Sequence, residues 1–362
     1  MFLPKKCERL VRLSFHQNIF IFNAALFGIL FGILVYTSCT ANTPPKAADL
    51  VVDNQPINLA SERYQLLYQE LEEQYAFNKK ELTQLFSGLK IDRTVLRLMD
   101  KQWEAKPYYQ YWPLFITPSA IFKGKRSLKK YRKLFDRIEA EFGVDREVVV
   151  AIWGIESRFG FNQGGFNLFR TLNTLFDKYP RRSDFFRNEL INFLILCRAN
   201  DLDPLKINGS YAGAFGQAQF MPSSFNEYAV DFDGDNRRDL INSKKDIFAS
   251  IANYLKNFGW TLHAPVYADI GSELKSELMV STYKEGRKGL IEWQVLAETQ
   301  QITIPRPPQN KKLSILGLEK SPKEGGEMRY IAGYPNFRAI TEYNHSVKYA
   351  MAVSEMAEAF KK

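Results

Sequence analysis

Cysteine is scarce in this chain, which contains three in 362 residues. Cys7 lies close to the N-terminus, Cys39 directly follows an apolar stretch, and Cys197 sits inside the apolar run FLILC. No two of them are placed to cross-link the folded body. A disulfide framework and a cysteine-ligated metal centre are therefore excluded.

The chain also lacks the motifs of other common protein classes. It has no internal repeat and no visible nucleic-acid-binding module. Its glycine-rich segment GSYAGAFGQAQFMPSSF lacks the Gly-Lys-Ser/Thr of a phosphate-binding loop, so it is a weak match to that motif. We expect no nucleic-acid partner.

The charge balance selects no partner by itself. The formal net charge is +9, of which residues 1–38 carry three, leaving +6 for the rest of the chain. A basic excess of that size suits nucleic acid, an anionic membrane or an acidic polymer equally well. The apolar content of 45% and the aromatic content of 14% predict a substantial core, enough for one large or two ordinary domains.

The N-terminus has the pattern of a secretory leader. Four basic residues precede an almost unbroken apolar segment, Ile19 to Tyr36, which is followed by Thr37, Ser38 and Cys39. The cysteine after small residues resembles the lipobox of bacterial lipoproteins, although retention as a spanning helix is the alternative. We expect removal of residues 1–38, lipid attachment at Cys39, a tether over 39–60, and a periplasmic protein anchored to the outer membrane, or alternatively to the inner membrane.

The rest of the chain is predicted to be mainly helical. Apolar spacing indicates helices at Leu66 to Leu71 and at Ile91 to Met99, within an accessory helical part over 61–126. A helix capped by Ser127 and ended by Gly143 follows. Later apolar patterns predict three more helices, at Phe185 to Arg198, Ile247 to Phe258 and Val347 to Phe360. Residues 260–338 are predicted to be a partly β insertion, with QITIP as one β-prone run.

The segment VDREVVVAIWGIESRFG carries the first sign of chemistry. With Asp145 as its cap, the helix places Glu156 on the same face as Val149, Ile152 and Trp153. Desolvation and the C-terminal end of the helix dipole both raise the pKa of a carboxyl group so placed. A carboxylic acid protonated near neutral pH suits a glycosidase acid, but a half-buried ion pair with Arg158 or Arg182 explains the pattern equally well.

Five segments in order carry a family resemblance that covers about Leu128 to Ala359. They resemble the membrane-bound lytic murein transglycosylase B family. The segments are IWGIESRFG, TLNTLFDKYPRRSDFFRNEL, GSYAGAFGQAQFMPSSF, DFDGDNRRDL with SIANYL, and NFRAITEYNHSVKYAMAV.

The resemblance implies a fold and a reaction. The fold is mainly α with some β: a lysozyme-like core over about 127–259 and 339–362, the accessory part and the insertion, within a catalytic domain over 61–362. The reaction cleaves the linkage between N-acetylmuramic acid and N-acetylglucosamine, with Glu156 as sole acid and base and a 1,6-anhydro product. It requires no cofactor. A hydrolytic muramidase and a non-catalytic peptidoglycan-binding lipoprotein are the alternatives.

The resemblance also implies a substrate groove for peptidoglycan glycan strands. Ser210 and Gln219 match positions near the catalytic glutamate, and the segment also offers Gln217 as a hydrogen-bonding side chain. Arg181 and Arg182 match a pair that contacts peptide or lactyl carboxylates, with a structural ion pair as the alternative. The remaining groove positions, for whose tyrosines core packing is the alternative, are Tyr254, Tyr343, Asn344 and Tyr349.

One acidic segment resembles a calcium loop. Asp231, Asp233 and Asp235 occupy its first three ligand positions, the carbonyl of Arg237 the next, and Asp246 can close a longer loop. The pattern is irregular because Asn236 replaces glycine and Asn242 replaces the final glutamate. Some family members bind calcium here, so we weigh a structural calcium ion against a solvated turn.

A basic stretch and the partners complete the sequence analysis. Lysine and arginine crowd residues 123–133, which suits anionic peptides or a phospholipid surface, although a solvated helix face is the simpler interpretation. We expect a monomer that acts on peptidoglycan, and cell-wall synthesis proteins are candidate partners.

Overall fold

The computed structural model describes residues 46–100 and 106–362, which belong to the compact unit Pro45–Lys362. The predicted leader, Cys39 and the first residues of the predicted tether lie outside these ranges. Within them, no helix has the length and apolar character needed to cross a membrane.

Helices dominate the described residues. The α-helices are α1 (Glu62–Glu73), α2 (Lys79–Phe86), α3 (Arg93–Met99), α4 (Tyr108–Tyr111), α5 (Pro118–Lys130), α6 (Arg132–Phe142), α7 (Arg146–Ser157), α8 (Leu168–Lys178), α9 (Ser183–Ala199), α10 (Pro222–Tyr228), α11 (Lys244–Asn257), α12 (Glu277–Lys284), α13 (Trp293–Gln300), α14 (Pro335–Tyr343) and α15 (Val347–Lys361). Short 3-10 turns span Ala47–Leu50, Trp112–Leu114, Pro180–Arg182, Gly286–Lys288, Pro308–Asn310 and Pro322–Glu324.

Two small antiparallel sheets accompany the helices. The strands are β1 (Phe166–Asn167), β2 (Asn208–Gly209), β3 (Tyr267–Gly271), β4 (Ser314–Glu319) and β5 (Met328–Gly333). β1 pairs with β2, and the second sheet has the order β3-β5-β4. That sheet, α12 and α13 enclose a small apolar cluster of their own around Met279, Leu296 and Ile315, within the predicted partly β segment.

The helix predicted to begin at Ser127 begins ten residues earlier. Thr117 is the cap of α5, and its hydroxyl accepts a hydrogen bond from the backbone N–H of Ala120. Ser127 therefore lies inside α5, and that part of the prediction is wrong. Tyr131 leaves helical geometry, with φ −105° and ψ 22°, so α6 starts as a separate helix. The predicted end at Gly143, where φ is 66°, is confirmed.

The β-prone run QITIP forms no strand, so that prediction is also wrong. Pro305 has no N–H to give to a sheet ladder. Its carbonyl instead accepts from the hydroxyl of Tyr334, and the carbonyl of Ile304 accepts from the Trp293 indole N–H. The run therefore packs against the small cluster as irregular backbone.

The helix α7 runs through the main core. It contacts α5, α11 and α15, and its residues from Val148 to Ile155 are buried. Gly154 permits the close contact with its surroundings, because an added Cβ would lie 2.8 Å from the Phe159 ring and 3.0 Å from Met356 Cε. A helix so enclosed holds its side chains in fixed positions.

The residue predicted to cap α7 has a different role. Asp145 is the N-cap by position, but its carboxylate accepts no hydrogen bond from the helix N–H groups. It accepts instead from the Trp260 indole N–H at 2.9 Å and from the backbone N–H of His263. Asp145 therefore links the start of α7 to the segment after α11 by hydrogen bonds.

Candidate active site

Glu156 lies one residue before the end of α7. Unlike its neighbours in the helix, it is only half-buried. Tyr349 donates its hydroxyl hydrogen to Glu156 Oε1 over 2.6 Å. Burial raises the pKa of Glu156 to about 7, and the Tyr349 hydrogen bond opposes that rise because it stabilises the ionised form. Near neutral pH the carboxyl group can therefore both give and take a proton.

Tyr349 is positioned by the first turn of α15. The side chain of Ser346 caps this helix by accepting from the Tyr349 backbone N–H. The Tyr349 ring is only 2% exposed and lies parallel to the Tyr343 ring, with centroids 6.5 Å apart. Tyr343 donates its hydroxyl to the carbonyl of Ala218 at 2.6 Å. The two tyrosines therefore connect Glu156 to the glycine-rich segment.

Tyr254 is packed as a core residue. Its hydroxyl donates to the carbonyl of Glu342 at 2.7 Å, and its ring packs against Tyr228, Tyr343 and Phe258. It is 8% exposed. These contacts agree with the core-packing alternative, in which the Tyr254 ring packs against the Tyr343 ring.

The glycine-rich segment is tied to the loop that follows α7. Gln219, in a left-handed conformation with φ 50°, donates its amide to the carbonyls of Gly216 and Gln163. At Gly164 an added Cβ would lie 2.1 Å from the backbone of Gly209, so this approach requires glycine. The side chain of Ser210 accepts from the Ala214 N–H. These contacts therefore hold the two loops together in one conformation.

Gln217 is not available to a ligand, contrary to the expectation from the sequence. The side chain is 5% exposed, and its Oε1 accepts from the Trp153 indole at 2.9 Å and from Lys244 Nζ at 2.8 Å. Its amide donates to the carbonyl of Ile241. With all these positions occupied, Gln217 joins the glycine-rich segment to α7 and α11.

The remaining predicted groove residues lie at exposed or half-buried positions. Asn344 follows α14 and is half-buried. Arg181 and Arg182 are exposed in the turn between α8 and α9, where the Arg182 guanidinium lies 4.0 Å from the Phe185 ring centroid. Within the described residues neither arginine forms an ion pair, and no direct contact joins these three residues to Glu156.

The sequence analysis missed Tyr111. This residue is the last of α4, in the segment YYQYW, and it adds to the rise that burial causes in the pKa of Tyr349, which places it near that tyrosine. Its ring also packs against Phe115 at 5.1 Å. The signal available in the sequence was the density of aromatic residues over 108–115.

The acidic segment brings three carboxylates together. Oxygen atoms of Asp231, Asp233 and Asp246 lie within 4.8 Å of one another. Asp246 is fully buried and Asp233 Oδ1 is buried without a hydrogen-bond partner, so the cluster has the acceptor-only character that suits Ca²⁺. Burial raises the pKa of Asp246, and Asp233 and Asp231 contribute to the rise.

Asp235, another predicted member of the loop, lies outside that cluster. The carboxylate of Asp235 accepts from the Arg237 N–H, and the Arg237 side chain pairs with Asp201. These contacts are those of a turn. The carboxylates that converge are therefore those of the first two loop aspartates and of Asp246 in α11.

Comparisons with known proteins agree with this architecture. Residues 60–358 match the Transglycosylase SLT domain family. The chain is 35% identical over 302 residues to membrane-bound lytic murein transglycosylase B of Escherichia coli (strain K12), with 79% of each chain covered.

Solved structures show the same fold. The soluble lytic transglycosylase SltB1 from Pseudomonas aeruginosa matches with a TM-score of 0.72 and 35% identity, covering 82% of this chain and 97% of that one. The Escherichia coli lytic transglycosylase SLT35 in complex with calcium matches with a TM-score of 0.73 and 32% identity, covering 87% and 97%. The chain therefore belongs to the SLT-domain family of lytic murein transglycosylases, enzymes of lysozyme-like fold that act on peptidoglycan.

Proposed function

We propose that Glu156 is the single acid and base with which this lytic transglycosylase cleaves the bond between N-acetylmuramic acid and N-acetylglucosamine. One observation carries the proposal: Glu156 accepts a hydrogen bond from the buried Tyr349 at 2.6 Å, in surroundings where burial raises its pKa to about 7. Among the described residues, no second carboxylate contributes to this raised pKa. Two-carboxylate hydrolysis needs such a partner within roughly 5 to 10 Å.

The steps follow from that single group. Protonated Glu156 gives its proton to the glycosidic oxygen as the bond to muramoyl C1 breaks, and the bonding electron pair leaves with that oxygen. The ionised Glu156 then takes the proton of the muramoyl C6 hydroxyl, whose oxygen bonds to C1. The product is a 1,6-anhydro sugar, formed without net consumption of water. A neighbouring hydroxyl can act at an effective concentration of about 10⁵ M or more, which favours it over water.

Tyr349 serves the second half of this cycle. Its hydrogen bond at 2.6 Å stabilises the carboxylate that remains after the first proton transfer. The stacked Tyr343, the backbone of the glycine-rich segment and the side chains of Ser210, Gln219 and Asn344 are proposed to line the groove for the sugar rings. Arg181 and Arg182 are proposed to meet substrate carboxylates at its edge.

Mass spectrometry of digested peptidoglycan tests the reaction. The expected products are anhydro-muropeptides, which lack one water relative to hydrolytic ends, and Glu156→Gln should bind peptidoglycan without cleaving it. Reducing ends as the main product would instead identify a hydrolytic muramidase. Absence of any cleavage by the parent chain would identify a non-catalytic binding protein.

We also propose that Asp231, Asp233 and Asp246 hold a structural calcium ion. The doubly charged ion would offset the repulsion among three converging carboxylates, one of them fully buried, and so stabilise the loop before α11. Melting temperatures in EDTA, Mg²⁺ and Ca²⁺ test this. Calcium should raise the melting temperature well above the value in magnesium, because Mg²⁺ demands a tighter octahedral site. Equal melting temperatures would contradict the proposal.

Membrane attachment through Cys39 is proposed on the leader pattern, and the name of the Escherichia coli relative supports it. Incorporation of a labelled fatty acid into the parent chain, and its loss in Cys39→Ala, is the expected result. A labelled Cys39→Ala variant would contradict lipid attachment at this residue.

A further inference from the structure

A strongly basic groove lies between α5, α6 and the start of α11. It has a volume of about 760 Å³, and a half-buried Tyr131 and Leu134 form its apolar part. Its exposed cationic residues, named here the basic face, are Lys129, Lys130, Arg132, Lys133, Arg137 and Lys245. The tertiary fold therefore adds Arg137 and Lys245 to a cluster that the sequence shows only in part.

The charge of the basic face is not neutralised by the protein. In the part of the chain that the structure describes, none of its six side chains forms an ion pair with a carboxylate. Arginines elsewhere do so: Arg146 pairs with Asp136, Arg187 with Glu70. Asp233 also lines the groove, but it belongs to the aspartate cluster. An uncompensated patch of this kind attracts a polyanion.

Cations also crowd one another at the inner end of the groove. Lys244 lines it as well, and its Nζ turns inward to Gln217 at 2.8 Å.

An exposed aromatic ring extends the basic face along α5. Phe122 is 66% exposed, and Arg126 and Lys129 follow it at i+4 and i+7 on the same outward side of the helix. At 1.5 Å per residue, Phe122 lies about 10 Å along the helix from Lys129. Aromatic residues beside lysine and arginine on one helix face are typical of helices that lie in a membrane interface.

We propose that the basic face docks on the anionic phospholipid headgroups of a bilayer, with Phe122 inserted among them. A plane of closely spaced phosphates matches six exposed cations that lie on α5, α6 and the start of α11. The proposal depends neither on the mechanism at Glu156 nor on lipid attachment at Cys39. It predicts that the enzyme body rests on the membrane in one orientation.

Lysine footprinting of the full chain on vesicles tests this docking. The protein is reconstituted in phosphatidylcholine vesicles with or without about one third phosphatidylglycerol, and a water-soluble amine reagent with mass spectrometry reads each lysine. Labelling of Lys129 and Lys133 should fall several-fold on the anionic vesicles only, and 1 M salt should restore it. Lys284 and Lys288, exposed elsewhere, should label equally throughout.

Matched charge reversals extend the test. R126E/K129E/K133E should abolish the protection of Lys130 and Lys245, whereas K284E/K288E/K311E, with the same change in net charge, should preserve it. Cleavage of soluble peptidoglycan fragments by both variants confirms that they fold.

Two results would overturn the proposal. One is equal labelling of Lys129 on neutral and anionic vesicles. The other is protection of the same lysines by purified peptidoglycan sacculi but not by anionic vesicles, which would make the basic face a cell-wall contact. Both results come from the parent chain and so do not depend on the folding of a variant.

Discussion

The hydroxyl oxygen of Tyr349 lies 2.6 Å from Oε1 of Glu156, although the two residues are 193 positions apart in the chain. The pair joins the end of α7 to the first turn of α15. Burial pushes the Glu156 pKa up and this hydrogen bond pushes it down, with a result of about 7. The proton affinity of Glu156 therefore depends on two opposing effects, and substitutions can separate them.

Tyr349→Phe should raise the pKa of Glu156. The hydrogen bond stabilises the ionised form, and hydrogen bonds to charged groups contribute about 1.5 to 3 kcal/mol, so its loss should raise the pKa by about one to two units. Activity that needs protonated Glu156 falls as pH rises through this pKa. The alkaline limb of the pH–kcat profile should thus move to higher pH, while kcat near neutral pH falls. The control is Tyr343→Phe, because the Tyr343 hydroxyl donates to the carbonyl of Ala218 and not to Glu156. This variant should leave the alkaline limb at the pH of the parent.

Glu156→Gln should stabilise the fold at alkaline pH. The folded-state pKa of about 7 lies above the ordinary 4.5, so the folded protein holds this proton more tightly than the unfolded chain. Protonated Glu156 therefore contributes its full share to the free energy of unfolding below about pH 4.5. This contribution is lost as pH rises through about 7, and it amounts to at most about 3 kcal/mol.

Urea unfolding from pH 4 to pH 8 measures this effect. The free energy of unfolding of the parent should decline across the window, and that of Glu156→Gln should decline less. Glu298→Gln, at an exposed carboxyl in α13, is the control and should follow the parent. A variant curve parallel to that of the parent would show that Glu156 is not desolvated.

Gly164→Ala should disrupt the contact between the two loops of the site. An added Cβ would lie 2.1 Å from the Gly209 backbone, and φ is +93°. We expect a loss of about 2 to 4 kcal/mol in the free energy of unfolding together with lower activity, since both overpacking and backbone strain contribute.

Two other glycines separate these causes. Gly88→Ala has a positive φ of 69° but open space, so it should show the strain alone, about 1 kcal/mol. Gly165→Ala has open space and no positive φ, so it should be nearly neutral. If all three variants have equal stability, close approach at Gly164 has no energetic role.

Asp246→Asn should remove both stability and the calcium response. Asp246 accepts from the backbone N–H groups of Phe232 and Asp239 through its two oxygens, and asparagine keeps only one acceptor oxygen, so one of these hydrogen bonds is lost. The melting temperature should fall, and calcium should no longer raise it. Asp235→Asn, exposed and outside the cluster, should retain the response. A calcium response that survives Asp246→Asn but not Asp235→Asn would place the ion elsewhere.

Local patterns in the sequence determined the presence of several of the helices. Apolar spacing correctly predicted α1, α3, α9, α11 and α15, because a surface helix must bury a stripe of side chains at this period. It also placed Glu156 on a face that should be apolar. The failures at Ser127 and QITIP have a common cause, since capping by Thr117 and the missing N–H of Pro305 outweighed local propensity.

Only the tertiary structure decided what those side chains do. The sequence offered Gln217 as a ligand for sugar, yet packing beside Trp153 and Lys244 makes it a support for the loop. It gave Asp246 as an optional closing ligand, and the start of α11 makes it the buried member of the acidic cluster. The sequence by itself determined a lone carboxyl group on an apolar helix face. The pKa of that group depends on burial by helices distant in sequence and on the Tyr349 hydroxyl, which only the folded chain brings within 2.6 Å.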